Sequence, residues 1–285
     1  MASARDYLQL VKFSHSVFAL PFAAMALLVA SDGRPGTRLL LLVLLAMVCA
    51  RTAAMAYNRF ADRDIDALNP RTQMREVPRG VILPWQALLV TALASAAFVV
   101  AAHQLGALCF WLSFPVLGVL LGYSHAKRFT ASAHVWLGLA LGLAPPAAWL
   151  AVTGAIDARL LPALALGCGV TLWVAGFDML YACQDVEFDR AQGLRSVPAR
   201  LGVARTLVVS RLLHVVAAVL FATFGALTGL GAIYQLGVLV AGAFLLYEHR
   251  LLRADDLSRM NAAFFTMNGL VGVALLSATI AAVYT

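Results

Sequence analysis

Charge is scarce in this chain. Only 12% of its 285 residues are Asp, Glu, Lys or Arg, against about 25% in soluble domains. A water-facing surface cannot be built from so little charge, and an ordinary soluble enzyme is excluded. Cysteine is sparse too. Cys49, Cys109, Cys168 and Cys183 are scattered through apolar segments, with no CxxC and no His at ligand spacing beside them. They read as small buried thiols. No Ser/Pro-rich linker divides the chain, so one domain over 1–285 is expected. A cleavable signal peptide is not expected either. The stretch 14–31 has an apolar middle, but charged sequence surrounds it and further apolar runs follow.

What is present in excess is apolar sequence, at 62% of residues. A bilayer span needs about 20 mainly apolar residues. Nine such helices are expected, over about 14–31, 38–60, 84–102, 106–124, 133–152, 160–184, 204–228, 231–247 and 262–284. The net charge of +7 is then a matter of topology and lipid contact, with no nucleic acid implied, because cytoplasmic loops collect Lys and Arg. Seventeen basic residues fall on one side of this arrangement. On the other side lie Arg34, Arg38 and Arg159, while Arg51 is inside a helix. The expected protein is a multi-pass protein of the inner (plasma) membrane, with its amino terminus cytoplasmic and its carboxyl terminus outside.

Two cytoplasmic loops are longer and more charged than the rest, and they echo each other. The first holds Asp62-x3-Asp66 and then Arg75-Glu-Val-Pro78. The second holds Asp185-x3-Asp189 and then Arg195-Ser-Val-Pro198. This suggests two related halves, each a helix ending in acids followed by a basic loop.

Each acid ladder has a physical reading. Asn58, Asp62 and Asp66 are spaced i, i+4, i+8, which aligns three oxygen side chains on one helical face. Magnesium takes oxygen ligands, and one or two carboxylates plus substrate phosphates usually hold it. Arg51 lies two turns earlier on the same face. A charge at such a depth should face a cavity or a partner. The second ladder is Asp178, Tyr181, Asp185 and Asp189, with Asp178 inside the sixth span. Asp64 and Glu187 point off the two faces. Cations accompany the acids: Lys127 and Arg128 at the end of the fourth span, Arg71 and Arg75 after the first ladder, Arg195 after the second. Acids alone would suggest an ion path, whereas acids with cations suggest a phosphate site. The bland alternative, solvated helix ends, does not account for the doubled spacing. Arg71, Arg79, Arg200 and Arg205 serve equally well as topology charges. His15, His103, His134 and His214 read as interfacial or packing residues. An ion-coupled transporter is the rival class, but its acids would lie near the midplane. An alcohol phosphotransferase would carry a D-G-x-x-A-R pattern, which is absent.

At these residues the sequence resembles the UbiA-type intramembrane prenyltransferase superfamily. Asn58, Asp62 and Asp66 match its N-D-x-x-D-x-x-x-D element, with Arg59 in place of the second-position Asp. Asp185 and Asp189 match its second D-x-x-x-D. Arg51, Arg71-Thr72, Arg75-x-x-Pro78 and Tyr123-x-x-x-Lys127-Arg128 resemble further family elements, with Glu76 and Ser124 replacing prolines. The resemblance implies an all-α bundle of nine transmembrane helices around a central cavity. It implies Mg2+ on Asn58, Asp62, Asp185 and Asp189, with Asp66 assisting or holding a loop cation. Diphosphate would be held by Arg51, Arg75, Lys127 and Arg128, with Arg71 and Arg195 as further candidates. The activity implied is transfer of a prenyl group from a prenyl diphosphate to an acceptor. Asp62, Asp185, Asp178 and Tyr181 are the candidate catalytic groups. Phe13-Ser-His-Ser-Val-Phe-Ala-Leu-Pro21 and Tyr181-Ala-Cys-Gln-Asp-Val-Glu-Phe-Asp189 are most similar to the 4-hydroxybenzoate polyprenyltransferase-like group. That points to an aromatic acid acceptor, 4-hydroxybenzoate or a dihydroxynaphthoate, in ubiquinone or menaquinone synthesis. Haem, chlorophyllide or sugar-phosphate acceptors within the superfamily stay open.

Overall fold

The computed structural model describes residues 3–11 and 18–285. Residues 12–17, which include Lys12, His15 and most of the Phe13–Pro21 motif, lie outside the described part. Every described element is a helix or a turn. In chain order these are α1 (Ala4–Leu10), α2 (Leu20–Ala30), α3 (Thr37–Ala61), α4 (Arg63–Leu68), α5 (Pro84–Leu105), α6 (Ala107–Gly122), α7 (Ala126–Phe129), α8 (Ala133–Gly142), α9 (Ala144–Thr153), α10 (Leu161–Ala182), α11 (Val186–Ala191), α12 (Val197–Leu201), α13 (Val203–Thr228), α14 (Gly231–Leu251) and α15 (Asn268–Tyr284).

Eight helical segments are long and apolar enough to cross a membrane. The expected count was nine. The remaining stretch, 14–31, is represented by the 11 residues of α2, too short to meet that criterion alone. Large hydrophobic side chains face outward, among them Trp111 at 69% and Leu239 at 71% exposure. In water such a surface would be an aggregation hazard, whereas in lipid it is the required exterior. The chain is an integral multi-pass membrane protein.

The chain divides into two compact units. The first holds 1–16 and 38–125. α1 is capped by Ser3, whose hydroxyl accepts from the Asp6 N–H while Asp6 accepts from the Ser3 N–H at 2.7 Å. Its Leu10 is buried with Ala56 of α3, Ala87 of α5 and the loop residues Val77 and Ile82. α5 and α6 pack as a hairpin, split at Gly106, whose φ of 136° suits only glycine.

The second unit holds 17–37 and 126–285, and α10 is its centre, packed against α8 and α13. Small residues let the backbones approach. A Cβ added at Gly138 in α8 would strike the Thr171 carbonyl, and one added at Gly176 in α10 would strike the His214 ring. The expected helix 133–152 is two helices, broken at Leu143 just ahead of Pro145-Pro146. Proline lacks the donor that would continue the hydrogen-bond ladder. The last expected helix also departs from regularity. It starts as a π-helical segment, Ala262–Met267, before α15. Asn268 serves this irregular turn. Its Nδ2 donates to the Ala263 and Phe264 carbonyls and to Glu248 Oε1, and its Oδ1 accepts from Trp173 Nε1 at 2.7 Å. His214, expected as packing, is buried with Nε2 3.1 Å from the Trp173 carbonyl and Nδ1 3.0 Å from His249.

Candidate functional site

In the first unit, α3 carries Asn58 and stops at Ala61. Asp62 then sits at φ −96°, ψ 3°, and α4 begins at Arg63. Backbone bonds from Asp62 to the Asn58 carbonyl (2.9 Å) and from Asp66 to the Asp62 carbonyl (2.7 Å) carry the i→i+4 register across the break. The ladder therefore survives as a ladder. Asn58 Nδ2 donates to Asp62 Oδ2 at 2.7 Å, which fixes this carboxylate. Asp66 is buried, and both its oxygens accept from Arg75 Nη1 at 2.8 Å. Of the two roles implied for Asp66, holding a loop cation is the one visible in the geometry, and Arg75 is that cation. Thr72 ties the same loop back, its hydroxyl donating to the Asp66 carbonyl. Arg71 is exposed, with its N–H on Asn69 Oδ1. Arg59, the departure from the family pattern, is 2% exposed, within electrostatic reach of Asp66, Glu76 and Arg75. Arg51 is half-buried. Asp64 is exposed, as its place off the ladder face implies.

The second unit repeats the break. α10 stops at Ala182, a 3₁₀ turn spans Cys183–Asp185, and α11 begins at Val186. Asp185 caps α11 at φ −105°, ψ 10°, nearly the conformation of Asp62, and α4 and α11 are both six residues long. This sparsely populated bridge region is where many active-site residues lie. Asp185 and Asp189 are 5% and 2% exposed, while Glu187 is exposed. The echo ends at the second acid. Asp66 has Arg75, whereas Asp189 Oδ2 is buried with no hydrogen-bond partner among the described residues. The cation of the second loop goes elsewhere. Arg195 is exposed, its N–H donates to the Lys127 carbonyl and its Nη1 to the Phe129 carbonyl, both at 2.7 Å. Lys127 is half-buried and Arg128 exposed. Tyr181 packs against the Phe264 ring of the π-helical segment, centroids 4.3 Å apart. Asp178 pairs with His134, Nδ1 to Oδ2 at 2.6 Å. Composition and spacing do not single out His134. It is 44 residues from Asp178, and only tertiary structure joins them.

Among the described residues, no three His, Cys, Asp or Glu side chains form a ready metal cage. The donor set still fits magnesium. All candidate ligands are hard oxygens, one pair is pre-aligned, and a buried carboxylate oxygen lacks a partner. A magnesium site that relies on substrate phosphates needs no more from the protein.

Comparison with known proteins gives the family. A model of the UbiA prenyltransferase family matches residues 19–270. The chain belongs to the UbiA prenyltransferase family. The expectation of an enzyme of the prenyltransferase class is borne out by that membership. Among UbiA relatives, the 4-hydroxybenzoate octaprenyltransferase of Aromatoleum aromaticum is 33% identical over 257 residues, covering 90% of this chain and 85% of the relative. That of Paraburkholderia phymatum is 32% identical over 281 residues, covering 98% and 96%. The solved apo structure of a UbiA homolog from Aeropyrum pernix K1 superposes with a TM-score of 0.85 at 33% identity, covering 94% of this chain and 97% of that one. A UbiA homolog from Archaeoglobus fulgidus, solved with DMAPP and Mg2+, shares the fold at 19% identity, with a TM-score of 0.73 and coverage of 98% and 99%.

Proposed function

We propose that this UbiA-family protein transfers a polyprenyl group from a prenyl diphosphate to an aromatic acid of quinone synthesis, with 4-hydroxybenzoate as the acceptor. The names of the relatives support the reaction class. The observation that carries the site is the repeated junction: Asp62 and Asp185 in matching backbone conformations, each four residues ahead of a buried aspartate. Asn58, Asp62, Asp185 and Asp189 are the candidate ligands for Mg2+. Asp66 is the partner of Arg75. Arg51, Arg71, Lys127, Arg128 and Arg195 are candidates to hold diphosphate. A UbiA homolog of the same fold has been solved with DMAPP and Mg2+, which supports a prenyl diphosphate and Mg2+ as the ligands of such a site. The chemistry magnesium supplies when bound is neutralisation of charge on the diphosphate oxygens.

The chain's own residues would do the rest. Lys and Arg side chains hold the phosphates so that the allylic C–O bond breaks with its electron pair leaving on diphosphate. The apolar helices keep water from the allylic cation, which suppresses hydrolysis. The electron-rich ring attacks carbon 1, a C–C bond forms, and the ring proton leaves to a ladder carboxylate or to diphosphate. Asp178 or Asp185 orients or deprotonates the acceptor hydroxyl, and Tyr181 stands beside them in sequence. The whole chain acts as one transmembrane prenyltransferase domain with nine spans in the inner membrane. The distribution of Lys and Arg supports a cytoplasmic amino terminus.

The test is an assay of the purified protein with a prenyl diphosphate against a panel of aromatic acids, with and without magnesium. Release of diphosphate only when metal and acceptor are both present is expected. Turnover on a dihydroxynaphthoate alone would move the acceptor to menaquinone synthesis and leave the site unchanged. Metal-independent turnover would end the proposal.

A further inference from the structure

His134 is wholly buried in α8, and both of its ring nitrogens have partners. Nδ1 lies 2.6 Å from Asp178 Oδ2, and Nε2 lies 3.3 Å from the backbone nitrogen of Val197. A backbone N–H only donates, so Nε2 must present its lone pair there. The ring proton then belongs on Nδ1, where it donates to the Asp178 carboxylate. The opposite tautomer would aim one N–H at another and leave a carboxylate facing a lone pair. The hydrogen-bond partners therefore assign the tautomer.

The imidazole thus joins two parts of the second unit with different work to do. One is the carboxylate within α10, which keeps 20% of its side-chain surface open while its partner keeps none. The other is the segment Arg195-Ser-Val-Pro198. That segment is pinned at its other end by Arg195, through its bonds to the Lys127 and Phe129 carbonyls. Ser196 is buried and caps α12 by accepting from the Ala199 N–H. A histidine that only fills space has no need of an open carboxylate on one side and a cation-bearing loop on the other.

We propose that His134 is a positioning residue: Nδ1–H orients the Asp178 carboxylate toward the acceptor, and Nε2 fixes the loop that carries Arg195. This rests on the proposed function, in which Asp178 serves the acceptor. Each ring nitrogen has its own task, so the two tasks separate by substitution. His134→Gln sets an amide near Nε2, keeps an acceptor for Val197 and withdraws the donor from Asp178. His134→Asn sets an amide near Nδ1, keeps the donor and withdraws the acceptor from Val197.

The measurement is steady-state kinetics of the full chain in detergent, with a prenyl diphosphate, 4-hydroxybenzoate and magnesium. For His134→Gln, kcat should fall about 100-fold, the usual cost of a small misplacement of a reacting group, with KM for the prenyl diphosphate unchanged. For His134→Asn, most of kcat should survive while KM for the prenyl diphosphate rises about tenfold, as when an outer support is lost. Identical effects of the two variants on both constants, or wild-type constants in both, would overturn the inference. If neither variant folds, the wild type decides. Its histidine-labelled nitrogen spectrum must contain a neutral Nδ1–H imidazole, and the absence of that signal would overturn the assignment. Asp178→Asn separates this inference from the reading beneath it. Full turnover in Asp178→Asn would remove Asp178 from the proposed reaction. An inactive Asp178→Asn beside a fully active His134→Gln would overturn the role of His134 alone.

Discussion

The Asp66–Arg75 pair makes a quantitative claim about how the first ladder works. Both oxygens of Asp66 accept from one guanidinium nitrogen at 2.8 Å, with side-chain exposures of 8% for Asp66 and 26% for Arg75. Two unit charges at about 4 Å gain roughly 4 kcal/mol at an effective dielectric of 20. Desolvation of Asp66 and the partial exposure of Arg75 reduce that. Breaking a fully buried pair costs about 3–5 kcal/mol, whereas exposed pairs are worth about 0.2–1 kcal/mol. The intermediate burial here puts the coupling at about 2 kcal/mol, a factor of about 30. The assay is a double-mutant cycle on kcat/KM for the prenyl diphosphate with Asp66→Asn, Arg75→Gln and the double variant. Each single change should cost about 30-fold, and the double variant should be no worse than either one. Losses that multiply would refute the reasoning. They would mean that Arg75 grips diphosphate independently of Asp66.

Further expectations follow from the same geometry. Asp62→Ala or Asp185→Ala should lower turnover by about 10²–10³-fold while leaving the helical circular dichroism and the gel-filtration profile intact; wild-type turnover in either would exclude these carboxylates. Asp189→Asn preserves shape but removes the charge on the unpartnered oxygen, so the magnesium concentration for half-activation should rise at least about tenfold, or about 1.4 kcal/mol. Chelation of magnesium should stop turnover, and added magnesium should restore it. Gly176→Ala places a methyl group against the His214 ring and should destabilise the protein by about 1–3 kcal/mol, read as a lower melting temperature in detergent. An unchanged melting temperature would mean that α10 and α13 have room to spare.

What the sequence made legible is local. An i, i+4 spacing is a property of one helix, so Asn58–Asp62 and Asp185–Asp189 are found without a fold, and so is the exposure of Asp64 and Glu187. Long apolar runs are also local, and most of the expected spans match described helices. The helix expected over 133–152 is broken instead, where Pro145-Pro146 interrupts the ladder. The illegible features need partners brought together by folding. Nothing in a loop with Arg71, Arg75 and Arg79 says which cation Asp66 will take. Nothing in the sequence near His134 points to Asp178. Asn268 carries no local signal, because its four bonds reach from the π-helical turn to Trp173 and Glu248.

The two acid ladders are similar where chemistry needs similarity and differ where it needs difference. The bridge conformation recurs at Asp62 and Asp185, each at the end of a long helix and four residues ahead of a buried aspartate. The loops then diverge. Arg75 sits nine residues beyond Asp66 and neutralises it, while Arg195 sits six beyond Asp189 and bonds to carbonyls of the α7 segment. One ladder therefore holds an acid paired with a cation, and the other holds an acid with one buried oxygen that has no hydrogen-bond partner among the described residues. A buried carboxylate oxygen left without a hydrogen bond is costly, and a bound divalent ion would offset that cost. If Asp189 is the site of that demand, Asp189→Asn should weaken the response to magnesium, while Asp66→Asn should weaken the response to prenyl diphosphate. A reversal of those two effects would place Asp66, and not Asp189, at the metal.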